Sequence, residues 1–293
     1  MKKIYITICL CLFTLLNFAG ANDTRMGILM TGDYIDDIVN IRTYPHHISL
    51  YHNSLYGDIA SDVEDYGIII TPDIKYGAIA FWQDRETQGV FNLGYGLDLF
   101  NFNIGAFGSL VEDHTKFGVG FGRSFFTRRF DCSFIIHSES NYEQYQFNLR
   151  YSERKSDFII VPKYQLNYYA EPFEYSNHIL GLLIQRLVFS EGFVFFIAEY
   201  DFSRGDIEND YTNVYTGFEL PLSKILILRL GVSERFTNGL ESPTWYVEPG
   251  IGLQIRGFSI DFHVNKDWLF DRDEDENVGL IKSFGLDLNF GRF

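Results

Sequence analysis

From residue 75 to the carboxyl end, apolar and polar side chains alternate with a period of two, interrupted every ten residues or so by short polar breaks. Tyr145, Phe147, Leu149 and Tyr151 alternate with Gln144, Gln146, Asn148, Arg150 and Ser152, and Phe258, Ile260, Phe262 and Val264 alternate with Ser259, Asp261, His263 and Asn265. Successive side chains of a strand point to opposite sheet faces, so each stretch has one face for an apolar phase and one for water. The pattern predicts strands at 75–83, 90–99, 103–111, 115–124, 129–138, 144–152, 157–168, 178–188, 192–202, 211–220, 225–236, 245–255, 258–265 and 280–290, about fourteen in all. Over 115–124 the second face is Gly118, Gly120, Gly122 and Ser124, while 178–202 is apolar on both faces. Stretches 48–53 and 66–71 would add two strands to make sixteen, within an expected range of 12–16.

The breaks carry their own pattern. Segments 84–89, 112–114, 139–143, 169–177, 203–210, 237–244 and 266–279 are mostly longer and acidic, whereas the intervening turns are four residues or fewer and hold Arg128, Arg154, Lys155, Lys224 and Arg256. Long and short connections in strict alternation define the two ends of a membrane barrel, whose backbone groups are satisfied between strands with no open edge. A soluble sandwich or propeller has no reason to sort its loops this way. The expected fold is therefore all-β, an antiparallel transmembrane β-barrel over 75–293.

Both ends of the chain fit export to an envelope. Met1-Lys2-Lys3, the apolar run Ile4–Phe18 and Ala19-Gly20-Ala21 have the three regions of a secretory signal peptide, with cleavage expected after Ala21. At the other end, Phe284, Leu286, Leu288 and Phe290 share one strand face. The Gly-x-x-Leu-x-Phe spacing of Gly285, Leu288 and Phe290, with Phe293 as final aromatic, resembles the C-terminal sorting signal of bacterial outer-membrane proteins. That resemblance implies outer-membrane lipid, lipopolysaccharide and the barrel-assembly machinery as partners. Phe293 falls out of phase with the apolar row.

Residues 22–74 alternate poorly and read as a compact amino-terminal segment able to fold into a lumen. Within it, Asp36-Asp37-x-x-Asn40-x-x-x-x-Pro45 resembles the amino-terminal hatch of the long-chain fatty-acid and aromatic-hydrocarbon transporters, a family of 14-stranded outer-membrane barrels with a small plug. The resemblance covers about a dozen residues and implies a plug role for Asp36, Asp37, Asn40 and Pro45. Tyr44-Pro45-His46 stands where that family carries Asn-Pro-Ala. A periplasmic segment whose acids cap turns is the alternative. The adjacent His46 and His47 would face opposite ways on a strand, which argues against a shared metal.

Composition narrows the function classes. The 24 basic residues against 39 acidic, a net charge of −15, leave no basic patch for nucleic acid. The aromatic content of 17% suits the interfacial girdles of a membrane barrel. Of three cysteines, Cys9 and Cys11 lie in the leader, so Cys132 has no intramolecular partner.

Asp271, Asp273, Asp275 and Asn277 place oxygen donors at alternate positions as calcium loops do, but the sixth-position glycine is missing and Lys282 takes the twelfth. A solvated acidic loop holding calcium loosely is the expectation, with no other cofactor. His137-Ser-Glu-Ser140 lacks a nucleophile and base on one face, so no enzyme is expected. Two functions remain open: a passive channel or carrier for small or hydrophobic solutes, and a non-conducting structural or adhesive barrel with cation-binding outer loops.

Overall fold

The computed structural model describes residues 23–60, 64–83, 89–109, 111, 114–140, 142–189, 192–237, 241–267 and 279–290. The wall is one closed antiparallel sheet in which each strand pairs with its neighbours in sequence and the last returns to the first. Its strands are β1 (Ser54–Ala60), β2 (Glu64–Ile70), β3 (Ala78–Gln83), β4 (Phe91–Leu99), β5 (Phe102–Ser109), β6 (Thr115–Phe125), β7 (Arg128–Glu139) and β8 (Tyr142–Lys155). They continue as β9 (Phe158–Glu171), β10 (Tyr175–Val188), β11 (Gly192–Gly205), β12 (Asn209–Pro221), β13 (Leu226–Thr237), β14 (Glu241–Ile255), β15 (Phe258–Val264) and β16 (Ile281–Asn289).

Sixteen strands, not about fourteen, close the wall. The fourteen expected from residue 75 onward all form, and the two extra ones lie within the stretch read as amino-terminal segment, so the wall begins at Ser54. Tyr56, Asp58 and Asp65 turn inward and are buried, and that mixture of polar and apolar inner residues hid the alternation. Residues 45–49, overlapping the expected strand 48–53, form a 3₁₀ turn instead, because Pro45 fixes its own φ and starts a helical turn readily.

At the end where β16 finishes, connections other than the seven residues between β2 and β3 are tight. Phe100 and Asn101 both take positive φ in a two-residue turn, the type I′ geometry that matches strand twist. Wall height is uneven: β8 to β11 each run 14 residues, whereas β1 and β2 run 7 and β3 runs 6. Outward positions of the wall are apolar and exposed, including Leu93, Phe117, Val119, Phe134, Leu182 and Phe196. Inward positions carry Asn148, Arg150, Arg229, Asp261 and Asp287, all buried. The lipid face and the water face therefore fall as the alternation predicts, and Leu286 and Leu288 lie on the opposite side of β16 from buried Asp287.

A sixteen-stranded barrel is too wide for its own side chains to fill. Residues 23–50 lie against its inner face. Helix α1 (Asp23–Leu29) packs on β12 to β16, and the 3₁₀ turn Pro45–Ser49 packs on β3 to β6. Between them Leu29 and Tyr34 join Val161, Leu183, Phe193, Phe195 and Ile197 in an apolar cluster. That cluster explains why β10 and β11 are apolar on both faces: one meets lipid and the other meets this inner segment. On the short side of the wall, Ile38, Val39, Ile41 and Ile48 pack with Tyr56, Ile69, Ala78, Ala80 and Trp82.

Candidate functional site

The four residues singled out for hatch-like spacing all lie in the segment that packs inside the wall. Asp37 accepts from Val39 N–H at 3.2 Å and so caps the 3₁₀ turn Ile38–Arg42, leaving its other oxygen 3.3 Å from Arg25 Nη1. Asn40 donates to the Ile35 carbonyl at 2.7 Å and closes the same turn. Pro45 sits on the wall where glycine admits it, since a Cβ on Gly105 would lie 2.3 Å from the Pro45 carbonyl oxygen. Gly120 likewise leaves room for His46. The small face of β6 is thus the floor on which the inner segment rests.

Asp36 and Asp37, adjacent in sequence, reach different parts of the wall. Asp36 Oδ1 lies 2.5 Å from Arg150 Nη2 of β8, which also donates to Asp131 Oδ2 of β7 at 2.7 Å. Arg150 Nη1 donates to the Asp33 carbonyl, and Lys163 of β9 pairs with the Asp33 carboxylate at 2.5 Å. On the other side, Arg25 joins Asp37 to Glu219 of β12 at 2.7 Å; Glu219 also takes Arg229 of β13 at 2.6 Å, and Arg229 pairs with Asp261 of β15. One dipeptide therefore ties together two charge networks spread from β7 to β15. Burial raises the Asp36 carboxyl, but Arg150, then His47 and Arg129, outweigh it and bring it to about 2.

His46 and His47 converge rather than diverge. In a 3₁₀ turn neighbouring side chains stand about 120° apart instead of opposed as on a strand, and both Nε2 atoms approach Asp131 Oδ1, at 2.8 and 3.4 Å. Although these three side chains are close enough to share an ion, Arg150 and Arg129 already neutralise Asp131. A cation would add to that positive charge, so the trio is better suited to hydrogen bonding. Burial holds both histidines neutral, lowering His47 to about 3 with Arg129 adding to the effect, and lowering His46 as well.

Beside these networks run two adjoining cavities of about 380 and 440 Å³ that share Arg42, Thr43, Gln146 and Gln165. Their wall is a ladder of amides: Gln146 donates to Asn148, Gln165 to Asn167, and Asn167 to Asn177. Toward the rim opposite the end where β16 finishes the ladder meets Tyr169, which stacks on Tyr175 with centroids 4.4 Å apart. The amides were visible in the sequence as the polar half of two strands. Their convergence on one cavity depends on the β8–β9 register and was not.

The calcium-like positions Asp271, Asp273, Asp275 and Asn277, and the terminal Phe293, lie outside the described residues. Gly285, Leu288 and Phe290 belong to or border β16, where Gly285 pairs with Asp58 and Leu288 with Leu55 across the closing seam. Phe290 N–H donates to the Asn53 carbonyl, so the stretch that resembles a sorting signal closes the barrel.

No family model and no curated protein matches the chain. Solved structures do. A bacterial polysaccharide outer-membrane secretin aligns with a TM-score of 0.55 and 11% identity over 80% of this chain and 97% of that one. A porin aligns at 0.52 and 10% identity over 68% and 90%, and OmpT, an outer-membrane protein of Vibrio cholerae, at 0.50 and 10% over 80% and 93%. At such identities the likeness is one of fold, and the fold is that of bacterial outer-membrane β-barrels. The hatch resemblance rests on its dozen residues alone.

Proposed function

We propose that the chain is an outer-membrane channel for small hydrophilic solutes, exported through its amino-terminal leader and inserted by the barrel-assembly machinery, with residues 23–50 as a plug that narrows the lumen. The observation that carries this reading is the pair of adjoining cavities, lined by Gln146, Gln165 and Asn167 and bounded by Arg42 and Thr43 of the inner segment. Their size falls within the range of about 300–1,000 Å³ typical of small-molecule sites. The hatch resemblance implies hydrophobic cargo. A buried amide ladder favours the opposite, because its donors and acceptors must be matched by a solute or by water.

No catalytic step enters this reading, and lipopolysaccharide and lipid are the neighbours expected outside the wall. Loosely held calcium at the acidic residues 271–277 belongs to the same proposal. The second reading, a non-conducting structural barrel, is favoured by the breadth of inner contacts, since residues 23–50 touch strands from both halves of the wall.

Single-channel recording in planar bilayers separates the two. Small steps in the mature protein that enlarge when residues 23–50 are deleted support a narrowed channel. Silence in the mature protein, with large steps after deletion, supports a closed structural barrel. Silence in both, from folded protein, overturns the channel.

A further inference from the structure

The geometry points to a site for a divalent transition-metal ion of the zinc class, built from His114, His137 and Glu139 at the rim opposite the end where β16 finishes, and we propose that the protein binds such an ion there. It holds whether or not the lumen conducts.

The ligands are placed by the sheet. His137 and Glu139 are two residues apart on β7 and therefore share its inward face. Thr115 pairs with Ser138, which sets His114, one residue before β6, across from Glu139. The backbone of His114 is held in turn by Ser109, whose hydroxyl donates to the His114 carbonyl at 2.5 Å and accepts from Lys116 N–H at 2.9 Å. Sequence inspection missed the trio because the third ligand lies 23 residues away. The visible signal was His-x-Glu on one strand face.

The donor atoms form a compact triangle. His114 Nδ1 lies 2.5 Å from Glu139 Oε1, His137 Nε2 lies 3.1 Å from the same oxygen, and the two nitrogens are 3.4 Å apart. Ligands on a tetrahedral zinc, at bonds of about 2.0–2.1 Å, stand about 3.3 Å apart. Two edges fit as they are. The third opens by a rotation of Glu139, the most exposed of the three, whose side chain is 39% accessible.

Two imidazoles and one carboxylate leave a fourth position for water or solute, and nitrogen donors select zinc-like ions over calcium or magnesium. Glu139 pairs with the two histidines of its trio, whereas Asp131, beside His46 and His47, also pairs with Arg150 and Arg129. Lys116 opposes a bound cation: it pairs with His137 in the β6–β7 register and, with Arg42, lines the same cavity as His137. Its ammonium weakens any cation bound there.

The test uses the full mature chain, refolded in detergent and stripped with chelator. Zinc titration followed by metal analysis should give one tightly held equivalent per chain, and cobalt should produce the visible absorption of a tetrahedral nitrogen/oxygen site. His137→Asn and His114→Asn should each weaken zinc at least tenfold and abolish the cobalt bands. Glu139→Gln, an exposed and isosteric change, should weaken zinc in a barrel that still shifts on unheated gels. Lys116→Met should tighten zinc severalfold, an effect that damage to the fold does not produce. Zinc retained undiminished by the His114→Asn/His137→Asn double variant would overturn the proposal. So would displacement of zinc by equimolar calcium, or the absence of binding at micromolar zinc.

Discussion

Arg150 Nη2 of the wall lies 2.5 Å from Asp36 Oδ1 of the inner segment, and the same nitrogen lies 2.7 Å from Asp131 Oδ2. One guanidinium thus holds the segment to β7 and β8 together. Arg150 and Asp131 are almost fully buried, so neither can exchange its partner for water.

Replacing Arg150 by methionine should therefore release the inner segment. Removing one partner of a buried ion pair costs about 3–5 kcal/mol, because the other charge is left without compensation. The contribution from Asp36 is smaller, since half of its side chain is open to the lumen. Limited proteolysis in detergent should cut Arg150→Met within residues 30–45 while the wall stays heat-modifiable. Protection equal to wild type would show that Arg150 does not hold the segment.

Much of the wall was legible in the sequence because a strand must alternate wherever lipid meets one face and water the other. β8 and β15 are clear examples: Tyr145, Phe147, Leu149 and Tyr151 form the middle of the outward row of β8, and Phe258, Ile260 and Phe262 that of β15. The signal failed where the inner face meets protein instead of water. Leu183, Phe195 and Ile197 point inward against Leu29 and Tyr34, which erased the alternation of β10 and β11. Tyr56 and Ile69, packed beneath Ile38 and Ile48, did the same for β1 and β2. The spacing singled out Asp36 and Asp37, but their partners Arg150, Arg25 and Glu219 were not legible. Those partners are set by which strands close on one another.

Gly105→Val should displace Pro45 without harming the sheet. Any Cβ there meets the Pro45 carbonyl oxygen at 2.3 Å and His46 Cα at 2.6 Å, both backbone atoms with little freedom. Overpacking of this kind costs about 1–3 kcal/mol, while valine itself favours strands. Gly108→Val is the control, since a Cβ there meets nothing closer than 3.9 Å. Hydrogen exchange at residues 44–50 should accelerate in the first variant and not in the second. Equal protection in both would mean that the segment does not rest on β5.

Leu149 and Asn148 divide the two faces of β8. Leu149→Arg should cost about 2–4 kcal/mol of folding free energy, as arginine does near the lipid midplane. On alternation alone Asn148→Arg looks nearly neutral, a water-facing exchange. The structure corrects this: Asn148 is fully buried and donates to Ser133 Oγ, which donates to the Thr43 carbonyl of the inner segment. Both substitutions should harm the protein, but differently. Leu149→Arg should reduce the heat-modifiable fraction, whereas Asn148→Arg should leave it and expose the segment to protease. Identical behaviour of the two would refute the assignment of faces.

Acid should loosen the inner segment before it unfolds the wall. Burial keeps His47 neutral down to about 3 and depresses His46 in the same direction, against an ordinary value of 6.5. A released segment then binds more protons than a docked one, so docking is strongest above pH 6.5 and weakens as pH falls from 6.5 toward about 3. Asp36, at about 2 against an ordinary 3.8, adds a second loss below pH 3.8, again because its charged form is the one held by Arg150. The histidines should dominate, since they are fully enclosed and Asp36 is not. Protease access to residues 30–45, measured at steps from pH 7.5 to 4, should rise as pH falls. In a His46→Gln/His47→Gln variant, which cannot take up those protons, the rise should disappear over this range, because the Asp36 loss begins only below pH 3.8. A pH response unchanged by that double substitution would place the acid sensitivity elsewhere in the lumen.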